Sequence, residues 1–251
     1  MCGRMTLTTS DIADVAADLA AEIDAEDAAR YRARFNVAPS DTHWIVDARV
    51  GPRILHPAVW GYLVAGPGKP VSLINVRGEQ LATGRGFRAA FAGRRCVVVS
   101  DGFLEWTTAG REPFWFHRAE GGLVLLAGLT QDATEATPPP SQLPSGSSPL
   151  ALPLGPPRFT VITTRPNALV ARVHNRMPVV LAPDAVETWL TAPPATAAAL
   201  LAPAPDAALI ATPVSKRINS VKNDDAACLT PRAAPDPGSV LEGPRQRNLF
   251  D

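Results

Sequence analysis

The residue with the most distinctive chemistry is Cys2, which follows Met1 and precedes Gly3 and Arg4. Aminopeptidases remove an initiator methionine when the next residue is small, and cysteine qualifies. The mature chain would then begin with an amine and a thiol on adjacent carbons. An aldehyde condenses with such an amine to an imine, and the thiol closes a thiazolidine ring. Both nucleophiles sit on one residue, so the second step is intramolecular and gains a large effective molarity. An α-amine has a reference pKa of about 7.7–8.0, so roughly one molecule in ten carries the free base at pH 7. A carboxylate or imidazole close by would serve as proton acceptor.

Cys2 therefore needs a fold that brings such groups to the N-terminus. A chain of 251 residues, 46% of them hydrophobic, can bury one sizeable core, and we expect one domain. Lys plus Arg balance Asp plus Glu at 24 each, which excludes a long-range field typical of nucleic-acid or membrane-surface binders. Any DNA affinity must come from a local patch. No apolar run approaches the roughly 18 residues needed to span a bilayer, and the N-terminus lacks the basic-then-apolar layout of a secretory signal. The expected location is the cytoplasm, at the nucleoid. Cys2, Cys96 and Cys228 lie far apart, without a Cys-x-x-Cys pair. That pattern argues against a disulfide framework and a structural zinc site. His43, His56, His117 and His174 show no ligand spacing either, so neither metal nor cofactor is expected.

Ser10 is placed to cap a helix whose apolar residues Ile12, Val15, Leu19 and Ile23 recur at three and four residues. Short apolar runs bounded by Gly and Pro then predict strands at Trp44–Val50, Val71–Ile74, Cys96–Val99, Phe114–Phe116 and Leu123–Leu126. Residues 132–157 are Thr, Pro, Ser and Gly with almost no large apolar side chains, and read as a disordered insertion. Strand character returns at Arg158–Thr163, and helices are predicted at Asn167–Val173 and Asp184–Leu190. The order points to a β-rich α+β domain over residues 2–230, with a flexible tail over 231–251.

Five segments appear in order along this frame. They are Met1-Cys2-Gly3-Arg4, Arg34-Phe35-Asn36-Val37-Ala38-Pro39 and Asn75-Val76-Arg77-Gly78-Glu79, followed by Arg95-Cys96 leading to Asp101-Gly102-Phe103-Leu104-Glu105-Trp106, and by His174-Asn175-Arg176-Met177-Pro178. Their order and spacing closely resemble the SRAP family, the SOS-response-associated proteins once supposed to be peptidases. The resemblance runs from residue 2 to Ala227, interrupted by the insertion. It implies a β-rich SRAP-type fold and a thiazolidine crosslink between the N-terminal cysteine and the ring-opened sugar of an abasic site. Members shield single-stranded DNA in this way, and some reverse the bond, a lyase-like activity.

Carried over position by position, the resemblance makes Cys2 the nucleophile. It makes Asn75 the hydrogen-bonding partner of the opened sugar, Glu105 the carboxylate that holds the Cys2 ammonium and takes its proton, and His174 the donor that opens the sugar ring. Arg4, Arg77 and Arg176 would lie on the DNA backbone, and Asn36 with Pro39 would line the same groove. Arg85, Arg88, Arg94, Arg95, Lys216, Arg217 and Lys222 are further cationic candidates.

The chain departs from the family where many members carry wedge aromatics after Trp60-Gly61-Tyr62, and here the segment reads Leu63-Val64-Ala65-Gly66-Pro67-Gly68. Gly78, Gln80, Leu104 and Thr130 are smaller departures. At the C-terminus, Gln246-Arg247-Asn248-Leu249-Phe250 resembles the Gln-x-x-Leu-Phe peptide by which bacterial repair proteins dock on the sliding clamp. Gln246, Leu249 and Phe250 would be the anchors. Two other classes stay open at this level: an N-terminal-nucleophile cysteine peptidase or autoprocessing hydrolase, and a non-enzymatic single-strand binder. A monomer is expected, because the motifs imply no shared pocket.

Overall fold

The computed structural model describes residues 2–48, 51–65, 69–83, 86–108, 110–132 and 155–233. In chain order its elements begin with β1 (Met5–Leu7), α1 (Ile12–Asp18), β2 (Ala21–Ile23), α2 (Ala25–Ala29), β3 (Arg34–Val37), β4 (Thr42–Asp47) and β5 (Arg53–Trp60). The hairpin β6 (Tyr62–Val64) and β7 (Val71–Leu73) leads into β8 (Asn75–Arg77), α3 (Gly78–Thr83), α4 (Arg88–Gly93) and β9 (Arg95–Ser100). Then come β10 (Gly102–Trp106), β11 (Pro113–His117), β12 (Val124–Gln131) and β13 (Arg158–Thr164). The chain continues through α5 (Ala168–Ala171), β14 (Met177–Pro178), β15 (Val180–Leu181), α6 (Val186–Thr191), α7 (Pro194–Ala198) and β16 (Ile210–Pro213).

Strands β12, β9, β4 and β5 pair antiparallel in that order, β13 joins β12, and β5 pairs parallel with β13 through Val59–Arg158 and Trp60–Phe159. That last pairing closes the strands into a ring, which removes the exposed edges an open sheet would carry. A second, five-stranded sheet runs β16-β11-β10-β1-β3. Alternation along the strands sorts the core. In β9, Cys96 and Val98 pack with Met5, Trp60, Phe103, Phe116 and Phe159, where Trp60 and Phe159 stack at 6.1 Å. Val97 and Val99 face the opposite way and pack with Phe91, Leu81, Val15 and Trp189 from the helices. Both faces of the strand are thus buried, which is why its sequence is a continuous apolar run. The β-rich α+β expectation holds.

Local boundaries differ for identifiable reasons. Asp11, not Ser10, caps α1: its side chain accepts from Ala13 N–H at 2.8 Å. Ile23 lies outside that helix, because the chain turns at Ala20, with φ of 48°, and re-enters as β2 beside β5. The predicted strand ending at Val50 is β4, and Arg49 and Val50 fall outside the described residues. The Asn167–Val173 helix shortens to α5, capped by the Asn167 side chain on Val170 N–H at 2.9 Å. The Asp184–Leu190 helix divides into a 3-10 turn, Pro183–Ala185, and α6. Nearly all of the insertion and the tail from residue 234 lie outside the described residues. Pro231 still bridges to Val214, and Arg232 N–H donates to Pro213 O at 2.9 Å. Among the described residues no helix is long and apolar enough to cross a membrane.

Gly102 is fixed by the strand beside it, β11. It starts β10, and a Cβ there would overlap the Trp115 indole nitrogen and come within 2.9 Å of Phe116 O. Only hydrogen fits, so Gly102→Ala is expected to lower unfolding free energy by about 1–3 kcal/mol, as overpacking does. Urea denaturation measures it, and an unchanged midpoint would contradict the packing account.

Candidate active site around Cys2

Strand pairing builds the site. Met5 pairs with Phe103, and Leu104 N–H donates to Arg4 O at 3.0 Å, so the residues leading into β1 run alongside the end of β10. Cys2 is thereby laid beside Glu105, and both are buried, Cys2 at 0% exposure and Glu105 at 2%. Asn75 reaches the same point from β8, which pairs parallel with β13 through Val161. Its side-chain amide donates to Cys2 O at 2.7 Å. His174 arrives from the turn after α5, with its backbone N–H on Val170 O at 2.9 Å and its Nδ1 3.8 Å from Glu105 Oε1. The structure brings these four residues together, from four separate parts of the chain.

Burial sets their electrostatics. Desolvation pushes the Glu105 carboxyl up to about 7 from an ordinary 4.5. Burial and then the Glu105 charge push the Cys2 thiol well above its usual value, so the sulfur is held as a thiol. Its Sγ lies 3.7 Å from Arg4 O. Burial lowers His174, keeping the imidazole neutral, and Arg176 N–H donates to His174 Nδ1 at 3.1 Å. Asn75 Oδ1 is buried with no hydrogen-bond partner.

The three arginines are placed differently from one another. Arg77 is exposed, two residues from Asn75. Arg4 is half-buried, its guanidinium 5.5 Å from the centre of the Trp106 ring and its Nη1 donating to Ile218 O at 3.5 Å. Arg176 is largely consumed by the protein: Nη1 and Nη2 donate to the two carboxylate oxygens of Glu79 at 2.7 and 2.9 Å, and Nη2 also donates to Thr163 O at 2.7 Å. Asn36 is not on a groove surface. It is buried, and its amide donates to the carbonyls of Ile218, Ser220 and Asn223 at 3.2, 3.0 and 2.7 Å. Pro39 is partly buried in the turn between β3 and β4.

Of the further cations, Arg95 is buried and donates to the carbonyls of Phe91, Trp189 and Ala192, ending α4 and α6 rather than facing solvent. Arg94, Lys216 and Arg217 pair with Asp132, Glu112 and Asp225. Arg88 and Lys222 are exposed, and Arg85 lies outside the described residues, as do Gln246, Leu249 and Phe250. Sequence reasoning gave no role to Glu79, the partner of Arg176, or to Trp106, which covers Arg4 and donates to Asn219 Oδ1 at 2.7 Å. Both stand inside the segments quoted above, but their partners are distant in sequence. Leu63, in the segment that lacks wedge aromatics, is half-buried with its N–H on Gln131 Oε1 at 2.9 Å.

The family model for SOS response associated peptidase (SRAP) matches residues 1–221. Among curated relatives, the abasic site processing protein YedK of Escherichia coli is 29% identical over 204 residues, covering 79% of this chain and 84% of that protein. The abasic site processing protein HMCES of Gallus gallus is 30% identical over 241 residues, covering 80% and 67%. YoaM of Bacillus subtilis, described by the same words, is 28% identical and covers 91% and 97%. A crystal structure of a Bacteroides thetaiotaomicron protein superposes with a TM-score of 0.71 at 18% identity, covering 92% of this chain and all of the other. One from Bordetella bronchiseptica gives 0.65 at 23%, covering 85% and 100%. With the Cys2, Asn75, Glu105 and His174 junction assembled on that fold, the chain belongs to the SRAP family.

Proposed function

We propose that this protein senses abasic sites in single-stranded DNA and bonds to them covalently through Cys2. The observation that carries the proposal is the convergence of Cys2, Asn75, Glu105 and His174, with Glu105 buried so that its carboxyl titrates at about 7. The names of the relatives, abasic site processing proteins, give the substrate class.

The chemistry starts with loss of Met1, which turns the Cys2 nitrogen into a free amine. His174 in its protonated form gives a proton to the ring oxygen of the abasic sugar as the C1–O bond breaks and the C1 hydroxyl loses its own proton to water, and the ring opens to the aldehyde. Glu105 takes a proton from the Cys2 ammonium, and the amine adds to the aldehyde carbon. Loss of water leaves an imine. Because the thiol is held protonated, it is the second nucleophile: sulfur bonds to the imine carbon as its proton passes to nitrogen. The balance is one aldehyde and one aminothiol giving one thiazolidine and one water. Running these steps backwards through His174 releases the DNA. Asn75 Oδ1, buried without a partner, accepts from a sugar hydroxyl, a donor a solvent-exposed amide would recognise less strongly. Arg4 and Arg77 supply phosphate contacts in a chain of zero net charge, so binding is local and salt-sensitive. The Gln246, Leu249 and Phe250 peptide docks the protein on the sliding clamp and so offsets the absent wedge aromatics.

Mature protein mixed with abasic single-stranded DNA should give a shifted band on a denaturing gel, lost in Cys2→Ala and when the N-terminus is blocked. A band that survives Cys2→Ala would exclude the thiazolidine. Crosslinking rate should fall as pH drops below about 7, because protonated Glu105 cannot accept the ammonium proton. Glu105→Gln should slow the reaction and flatten that limb. The same group makes stability pH-dependent. Between 4.5 and about 7 the folded chain keeps a proton that the unfolded chain has lost, so stability declines with rising pH across this window and levels above it. The loss amounts to about 3 kcal/mol, and Glu105→Gln should remove it in denaturant titrations at several pH values. Clamp pull-down should capture the full chain but not one truncated before Pro244, and equal capture of both would refute docking through the tail.

A further inference from the structure

We infer that Glu79 is a positioning residue for His174, acting through a two-point bond to Arg176; this deepens the reading of the Cys2 site given above and rests on it. Arg176 touches His174 through its backbone: its N–H donates to His174 Nδ1 at 3.1 Å, and its carbonyl lies 3.2 Å from the same nitrogen. What fixes that backbone is the Arg176 side chain. The guanidinium meets Glu79 with two parallel bonds of 2.7 and 2.9 Å and crosses to Thr163 O at 2.7 Å and Thr163 Oγ1 at 3.2 Å. A bidentate guanidinium–carboxylate pair constrains orientation as well as distance. The turn from His174 to Arg176 is therefore pinned at one end by α5 and at the other by Glu79.

Glu79 stands in the first turn of α3, directly after β8. One five-residue segment thus carries both Asn75, which holds Cys2 O at 2.7 Å, and Glu79, which holds the His174 turn. β8 is itself set by its parallel register with β13, where Arg77 pairs with Thr163, the second anchor of Arg176. Nucleophile and proton donor are referenced to the same strand, so their separation is set by one rigid piece of backbone. Arg176 holds this frame together: its side chain is 15% exposed, and both terminal nitrogens are bonded to Glu79 and Thr163. Among the described residues, Glu105, 3.8 Å from His174 Nδ1, and Arg176 are charged side chains facing the imidazole that Glu79 thereby positions, and the chain's α-amino group acts on it as well.

The test uses the full-length mature protein with Glu79→Ala, Glu79→Gln and Arg176→Lys. The titration of the His174 imidazole is followed by NMR without DNA, crosslink reversal is timed across pH, and affinity for undamaged single-stranded DNA is measured against salt. Glu79→Ala and Arg176→Lys should both move the His174 titration up toward an ordinary histidine, because the loosened turn is less buried, and should slow reversal about tenfold. Glu79→Gln keeps one acceptor oxygen and should fall between wild type and Glu79→Ala. Affinity and its salt slope should stay unchanged in both Glu79 variants. An unshifted His174 titration would overturn the inference. So would tighter, more salt-dependent binding by Glu79→Ala, which would make Arg176 a phosphate contact masked by Glu79. If wild type forms no Cys2-dependent crosslink, the reading of the site fails, while the NMR arm still decides whether Glu79 positions His174. Thermal melts identify a variant that does not fold, and either remaining variant then carries the comparison.

Discussion

The antiparallel pairing of β1 with β10 is the constraint on which the site depends. Met5 opposite Phe103 sets the register, and a strand has a side-chain period of two, so no neighbouring register puts Cys2 beside Glu105 while keeping Met5 and Leu7 in the core. The apolar residues of β1 thus hold the N-terminus in place by burial, and the residues just before them inherit that position. Gly102 is the local concession: the start of β10 passes so close to Trp115 that no side chain fits. The second residue of a chain in other settings lies in a fraying end. Here it is the edge of a core.

Burial of that end determines its chemistry as much as its position. A carboxyl that is 2% exposed loses hydration, which raises Glu105 toward neutrality, and the thiol beside it is kept protonated. The neutral imidazole of His174 lies beside that carboxyl, with its Nδ1 3.8 Å from Glu105 Oε1. Asn75 donates its amide to Cys2 O, and its oxygen is buried with no hydrogen-bond partner.

The same sheet is secured from its other side by the last described stretch of chain. Asp224 accepts from the backbone N–H groups of Phe35 and Asn36 at 2.7 and 2.9 Å and pairs with Arg34, while the Asn36 amide reaches back to three carbonyls between Ile218 and Asn223. β3 is thereby stitched to a loop-rich segment that has no strand partner of its own there. Arg4 and Trp106 touch the same segment at Ile218 and Asn219, so the stitching extends to the rim of the Cys2 site. Asn36 and Arg34 serve this tether, which explains why such polar residues stand inside a strand.

Strands with one dominant signal were legible in the residues alone. The apolar runs that became β9, β12 and β13 are buried on both faces and could hardly be anything else. β1, β5, β8 and β10 carry weaker patterns, being short, interrupted by Pro57 and His56, or opened by Gly102, and only their partners make them strands. For the site, residue type determined the available chemistry: an aminothiol at Cys2, an amide at Asn75, a carboxyl at Glu105 and an imidazole at His174. Family resemblance named those four as a group. The tertiary structure decided how they meet and in which protonation states, because desolvation and hydrogen-bond partners arise only when segments between positions 2 and 174 are packed together. It also decided that Asn36 holds a loop, that Arg95 is buried beneath α4 and α6, and that Arg176 is already paired with Glu79. A guanidinium looks the same in sequence whether it faces solvent or a carboxylate, and only the fold supplies that difference.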